Sequence, residues 1–286
     1  MFSTGRCKAE KGIQKMSISV VITHYNKGDL LKNALMSLEQ QTCQEFSVVV
    51  IDDASSDEVS KKCFSQCKRR YIGNKKFTFM DNLKNMGATA TINRAIENCT
   101  GQLIMLLDAD DTLPVNTVKI IRKAFLHYPD TDLFFGDYLR NGQLISCVQL
   151  SNAAGYLDFK KLASSFKLLG TTPFTRQLWL KCGKFNPKIR INYDLDFFLR
   201  GVSTHGFSGR YVPHVIYKWD MEQGGMSTGC PRYRLSFMFF RHIKFFKENM
   251  NLTLFIKQLF FNFIAIPLDF CGIFRLIHPI YKHFSK

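Results

Sequence analysis

Three polar clusters close short apolar runs within the first 115 residues: Thr23-His24-Tyr25-Asn26, Asp52-Asp53 and Asp108-Ala109-Asp110-Asp111. Carboxylates brought together at one edge of a sheet repel each other unless a cation lies among them. A divalent cation carrying phosphate oxygens resolves that repulsion, because Mg²⁺ and Mn²⁺ favour oxygen ligands and combine one or two carboxylates with phosphate. The chain has no GxGxxG and no GxxxxGK[ST], so the glycine cradles of dinucleotide and P-loop sites are missing. Taken alone, the Asp108–Asp111 segment also fits a solvated capping turn, since Asp favours helix caps. Its place after LIMLL, together with the two other clusters, favours a ligand site. Further along, Asp194 and Asp196 open an apolar stretch (DLDFFLRG), where acids are favoured by a helix N-terminus in any case.

The elements that must hold these groups follow from hydrophobic patterning. Residues 18–23 (ISVVIT), 46–51 (FSVVVI), 77–80 and 103–107 (LIMLL) read as strands, the first a continuous apolar run as expected for burial on both faces. Between them, residues 29–40 place Leu30, Leu31, Ala34, Leu35 and Leu38 at helical spacing. A polar helix is expected to about Tyr71, another over 89–98, and a fourth from Pro114 to about His127. Strands alternating with helices of this length predict an α/β fold with a mostly parallel, Rossmann-like sheet and helices on both faces. In such sheets ligands bind beyond the carboxyl ends of the strands, where all three polar clusters stand. After Asp137 the pattern loosens.

With 286 residues, 46% hydrophobic and 22% charged, the chain can build a real core, and disorder is excluded. Its net charge of +16 suggests an anionic partner, whether nucleic acid, acidic membrane or phosphorylated ligand. The nine cysteines are scattered, with no CxxC, and fit free thiols in a reducing compartment. Residues 1–16 read as a polar leader without the apolar core of a secretory signal, and Met16 is an alternative start. Residues 231–286 carry nine Lys and Arg against two acids and hold twelve of the 27 phenylalanines. A basic, Phe-rich helical extension of this kind fits an interfacial anchor on an anionic membrane surface. The competing expectation is that it packs as helices on the catalytic domain or on a twin subunit. The apolar stretch 252–277 is broken by Lys257, Pro267, Asp269 and Arg275, so it is expected to lie on or dip into a membrane rather than span it.

Residues 17–115 resemble the nucleotide-binding half of glycosyltransferase family 2, which has the GT-A fold. The resemblance is carried by SISVVITHYNKGDLLKNALMSLEQQT, VVVIDDASSD, the Asn85-x-Gly87 element followed by Asn93, and LLDADD, in that order. It implies a nucleotide-sugar donor, usually a UDP-sugar. Carried over by motif, Thr23, Tyr25 and Asn26 belong to the base and ribose pocket, Asp53 contacts the uracil, and Asp108 meets the ribose. Asp110 would ligate the Mn²⁺ or Mg²⁺ that bridges the diphosphate, and Asn85 and Gly87 lie on a loop near the nucleotide.

Residues 116–230 then form the acceptor-binding and catalytic half, in which Asp194 aligns with the family's base. Tyr193 stands where the family has Glu, and Asp196, two residues on, is the competing candidate for the base, at a position where the family has a structural Asp. Asp137 matches a recurring position that either faces the acceptor or serves as a strand-end turn. In the closing loop Lys218 is the candidate for the diphosphate, while His214 is expected to be structural. The Gln-x-x-Arg-Trp signature of processive synthases is absent. The resemblance therefore implies an inverting, metal-dependent transferase that adds one sugar to a glycan, lipid-linked saccharide or lipopolysaccharide-type acceptor. It would work at the inner face of the cytoplasmic membrane as a peripheral protein. The alternative is a non-catalytic nucleotide-sugar or carbohydrate-binding protein on the same scaffold. Acid-rich strand ends disfavour nucleic acid as partner, and no feature specifies an oligomeric state.

Overall fold

The computed structural model describes residues 17–165, 168, 171–190, 192–220, 238–259 and 262. The polar leader, the closing loop beyond Asp220 and most of the stretch 252–277 lie outside these residues. Four strands, β1 (Ile18–His24), β2 (Ser47–Asp52), β3 (Phe77–Asp81) and β4 (Leu103–Asp108), pair in parallel in the order β3-β2-β1-β4. Val20, Ile22, Val48, Val50, Leu103 and Ile104 are all fully buried, as continuous apolar runs in a doubly covered sheet require. The pairing register aligns Thr23 with Asp108 and His24 with Asp52. The three polar clusters therefore come out level at one edge.

The intervening helices are α1 (Leu30–Glu39), α2 (Glu58–Arg70), α3 (Ala88–Glu97) and α4 (Thr117–His127). Each buries one face; α1 does so through Leu31, Ala34, Leu35 and Leu38, the spacing expected from the sequence. The connection into α2 is closed by Asp57, whose side chain accepts from the Ser60 amide at 2.8 Å.

The second half continues the same sheet. Strands β5 (Leu133–Arg140), β6 (Gln143–Ile145), β7 (Phe174–Thr175) and β8 (Gly209–Trp219) extend it to eight strands. The two-residue β7 runs antiparallel between β4 and β5, so β5 returns to the direction of β4, and β8 pairs with β5 in parallel. Helices α5 (Phe159–Ser165), α6 (Arg176–Lys181) and α7 (Tyr193–His205) pack around this extension. Asn93 of α3 joins the halves: its Oδ1 accepts from Trp179 Nε1 at 3.1 Å and Phe185 N at 3.0 Å, and its Nδ2 donates to Phe185 O at 2.8 Å.

The described part of the tail packs as helices on the rest of the chain, one of the two arrangements expected for it. A short turn of helix at 238–241 leads into α8 (Ile243–Asn249), followed by helical residues 252–259. Phe239, Phe245 and Phe246 are buried in a second core with Ala163 of α5 and Leu199 of α7. At these positions the phenylalanines face protein and are not turned to lipid. Among the described residues no helix is long and apolar enough to cross a membrane.

Candidate active site at the strand ends

The first cluster is built by a buried pair between two strand ends. His24 Nδ1 lies 2.8 Å from Asp52 Oδ1, and both side chains are withdrawn from solvent. Burial pushes the Asp52 carboxyl upward, but hydrogen bonds from His24 and from Ser55 outweigh it and hold the group below its ordinary value. Asn26 adopts a left-handed conformation (φ 51°), and its Oδ1 accepts from the Ser56 amide at 2.8 Å. Its side chain therefore clamps the β1 and β2 loops together at the edge where the nucleotide is expected. Tyr25, by contrast, is 41% exposed at the sheet edge, beside the half-buried Thr23.

Asp53 organises the second cluster. Its Oδ1 accepts from Asn82 Nδ2 at 2.7 Å and from the Met86 amide at 2.8 Å, and its Oδ2 accepts from the Gly87 amide at 2.9 Å. These bonds fix the loop of Asn85 and Gly87 against β2, with Asn85 Oδ1 also 3.0 Å from the Gly87 amide. Gly87 sits at φ 84° at the start of α3, where a side chain would strain the backbone. A Cβ there would meet nothing within 4 Å, so the strand-end face above it is open. Sequence reasoning placed Asp53 and Gly87 at the site but did not foresee that one holds the other.

The third cluster carries the strongest electrostatics. Burial, then the charges of Asp110 and Asp194, push Asp108 up to about 7, with Lys27 pulling the other way. Asp194, at the start of α7, is itself raised by burial, partly offset by the backbone amides of Leu195 and Asp194. The Tyr193 hydroxyl is raised far more, first by burial and then by Asp108, Asp194 and Asp110. The structure thus brings Asp108, Asp110, Asp194 and Tyr193 into one electrostatic neighbourhood, although Asp108 and Asp194 lie 86 positions apart in the chain.

Two residues that sequence reasoning missed complete this cluster. The Tyr217 hydroxyl of β8 donates to Asp111 Oδ2 at 2.7 Å and accepts from the Asp108 amide at 3.1 Å. Asp111 Oδ1 accepts from the Asp220 amide at 2.9 Å. Burial and the Asp108 charge raise Asp111 to about 8 against those hydrogen bonds. The end of β8 is thereby clipped to the acidic turn, helped by paired main-chain bonds between Thr112 and Lys218. The other missed residue is Lys27, whose Nζ rests on Asp110 Oδ2.

Three candidates are placed elsewhere. The Lys218 side chain is exposed and, one residue along the strand from Tyr217, points to the opposite face of β8. Asp137 accepts from Tyr211 Oη at 2.9 Å and from the Cys147 amide at 2.7 Å, which makes it a brace between β5, β8 and the 146–147 turn. Asp196 is fully buried and ion-paired at 2.8 Å with both Arg200 and Arg241, with His242 Nε2 at 3.1 Å. Burial opposes its ionisation, but His242, Arg200 and Arg241 hold it down at about 2.

Among the described residues no three His, Cys, Asp or Glu side chains form a metal-ligand set. Asp108 and Asp110 still fit a divalent cation that completes its shell with phosphate. Both donors are hard carboxylate oxygens, and Asp110 already draws a cation in the form of the Lys27 ammonium.

An open, mostly parallel sheet with helices on both faces and an acidic turn beyond β4 defines the GT-A class of fold. It is shared with S. aureus TarS residues 1–349 in complex with UDP-GlcNAc: TM-score 0.64, 19% identity, 80% of this chain and 66% of that one. It is shared too with the mannosyltransferase PcManGT from Pyrobaculum calidifontis in complex with GDP-Man and Mn²⁺: TM-score 0.62, 16% identity, 92% of this chain and 75% of that one. The chain covers only 39% of the longer TarS structure. Among sequences, a PGL/p-HBAD biosynthesis glycosyltransferase of Mycobacterium bovis is 26% identical over 212 residues, 73% of this chain and 78% of the relative. Residues 19–176 match Glycosyl transferase family 2, and the chain belongs to that family. Its reaction class is glycosyl transfer.

Proposed function

We propose that this chain transfers a single sugar from a nucleotide-sugar, a UDP-sugar, to a hydroxyl of a glycan or lipid-linked saccharide, with inversion at the anomeric carbon. The observation that supports this reading best is the convergence of Asp194 with Asp108 and Asp110 at the carboxyl end of β4. Tyr25 offers an aromatic face to the base, and Thr23, Asp53, Asn85 and Gly87 border the same edge. Asp110 would hold Mn²⁺ or Mg²⁺, which when bound would neutralise the diphosphate that leaves with the nucleotide, and Asp108 beside it would meet the ribose.

Asp194 serves as the base that takes the acceptor's proton as its oxygen attacks the anomeric carbon. Burial suits it to this role, because a carboxyl raised above its usual range holds a proton better at neutral pH. Tyr193, kept protonated by the same surroundings, can donate a hydrogen bond where the family has a carboxylate. Membrane contact, on this reading, falls to the outer surface of the tail. There Leu252 and Ile256 are 73% and 54% exposed, close in sequence to Lys257.

The test is release of UDP from a panel of donors in Mn²⁺, with and without saccharide acceptors. Acceptor-dependent release by the wild type is expected, and Asp194→Asn should lower turnover by about 10²–10⁴-fold. Binding without release from any donor would instead favour a non-catalytic carbohydrate-binding protein.

A further inference from the structure

Lys27 has no part in the reading so far, yet its ammonium lies on Asp110 Oδ2, the carboxylate assigned to the divalent cation. The contact spans 83 positions of sequence and depends on an unusual loop. Asn26 and Gly28, on either side of Lys27, are both left-handed, at φ 51° and 54°. Both are tied to the segment that runs from β2 into the first turn of α2. The Asn26 amide donates to Ser55 Oγ at 3.0 Å, and the Gly28 amide donates to Ser60 Oγ at 2.7 Å. The main chain beneath Lys27 is therefore fixed, while its side chain, 30% exposed, is a flexible four-carbon stem. Asp108 is also under its influence, for Lys27 is the cation that offsets the raising effect of Asp110 and Asp194 there.

One lysine and one divalent cation cannot both take the same Asp110 oxygen. We infer that Lys27 is a resident counter-ion that yields Asp110 to the metal and then binds the donor's diphosphate. The inference rests on the nucleotide-sugar reading above. Before ligand arrives, Lys27 shields a carboxylate that would otherwise face Asp108 and Asp194 unpaired. Once metal holds Asp110, the displaced ammonium is left on an anchored loop beside the incoming phosphates and has an anion to replace the one it lost. Metal and nucleotide must then bind with positive coupling, and by linkage each raises the other's affinity by the same factor.

The experiment compares wild type, K27M and K27R. Free Mn²⁺ is titrated by electron paramagnetic resonance without nucleotide, and UDP by calorimetry with and without Mn²⁺. Removing the competing charge in K27M should tighten Mn²⁺ alone by about five-fold or more and weaken UDP in Mn²⁺ by a similar factor, so that the coupling collapses. K27R, which keeps the charge, should leave Mn²⁺ binding within about two-fold of wild type. Unchanged Mn²⁺ affinity in K27M overturns the counter-ion role, and unchanged UDP affinity overturns the phosphate role. Wild-type protein that binds neither UDP nor any nucleotide-sugar overturns the functional reading itself. The nucleotide-free Mn²⁺ titration tells that failure apart from failure of the counter-ion role.

Discussion

At the scale of single residues, the site divides into groups that face a ligand and groups that hold them. Tyr217 is the clearest holder. Tyr217→Phe leaves the buried Asp111 carboxyl without its hydroxyl donor and the Asp108 amide without its acceptor. A loss of about 1–3 kcal/mol in stability is expected, read as a fall in the denaturant midpoint, with weaker donor binding alongside. Gly87→Ala meets no steric obstacle but must adopt φ 84°, so it should cost about 1 kcal/mol and loosen the Asn85 loop. Asp110→Asn should weaken Mn²⁺-dependent nucleotide binding, whereas Asp194→Asn should spare binding and remove turnover, a split that calorimetry and UDP release measure together. The acids were legible in the sequence because Asp at the end of an apolar strand is a local signal. Lys27 and Tyr217 were not, because their partners lie 83 and 106 positions away, and no local pattern records such a pairing.

At the scale of elements, β1, β2 and β4 announce themselves because strands covered on both faces must be apolar throughout. Strand β8 does not. It contains Pro213 and His214, and its register against β5 shifts on both sides of Asp137, which erases the two-residue alternation. Likewise, composition alone could not tell that the phenylalanines of α8 turn inward, since lipid and a protein core reward the same side chains. The helix α7 is held at Asp196 by Arg200 of its own length and by Arg241 and His242 from the tail. The Asp196 carboxyl sits at about 2, below its usual 3.8, so its contribution of about 2 kcal/mol is present above pH ~4 and is lost as pH falls toward 2. Thermal melts of the wild type should therefore show an acid limb in that window, and Asp196→Asn should flatten the limb while lowering the melting temperature at neutral pH.

At the scale of the whole molecule, the positive charge of the tail serves the fold as well as the surface. Part of that charge, at Arg241, is consumed internally by Asp196, and the aromatic residues around it close a second core. Phe246→Ala, at a fully buried position, should cost about 3 kcal/mol. Removal of residues 238–286 should expose Leu199 and Ala163 and lower the melting temperature by more than that single change. Among the described tail residues Lys244, Leu252, Ile256 and Lys257 remain outward, and flotation with anionic vesicles should respond to charge reversal at Lys257. The node at Asp196 also has a consequence in time. A chain made from its N-terminus completes the carboxyl edge of strands β1 to β4 long before Arg241 and His242 leave the ribosome. The helix that carries Asp194 lacks its last anchors until then. A chain truncated before residue 241 is therefore expected to hold nucleotide but to transfer no sugar, which calorimetry and UDP release together measure.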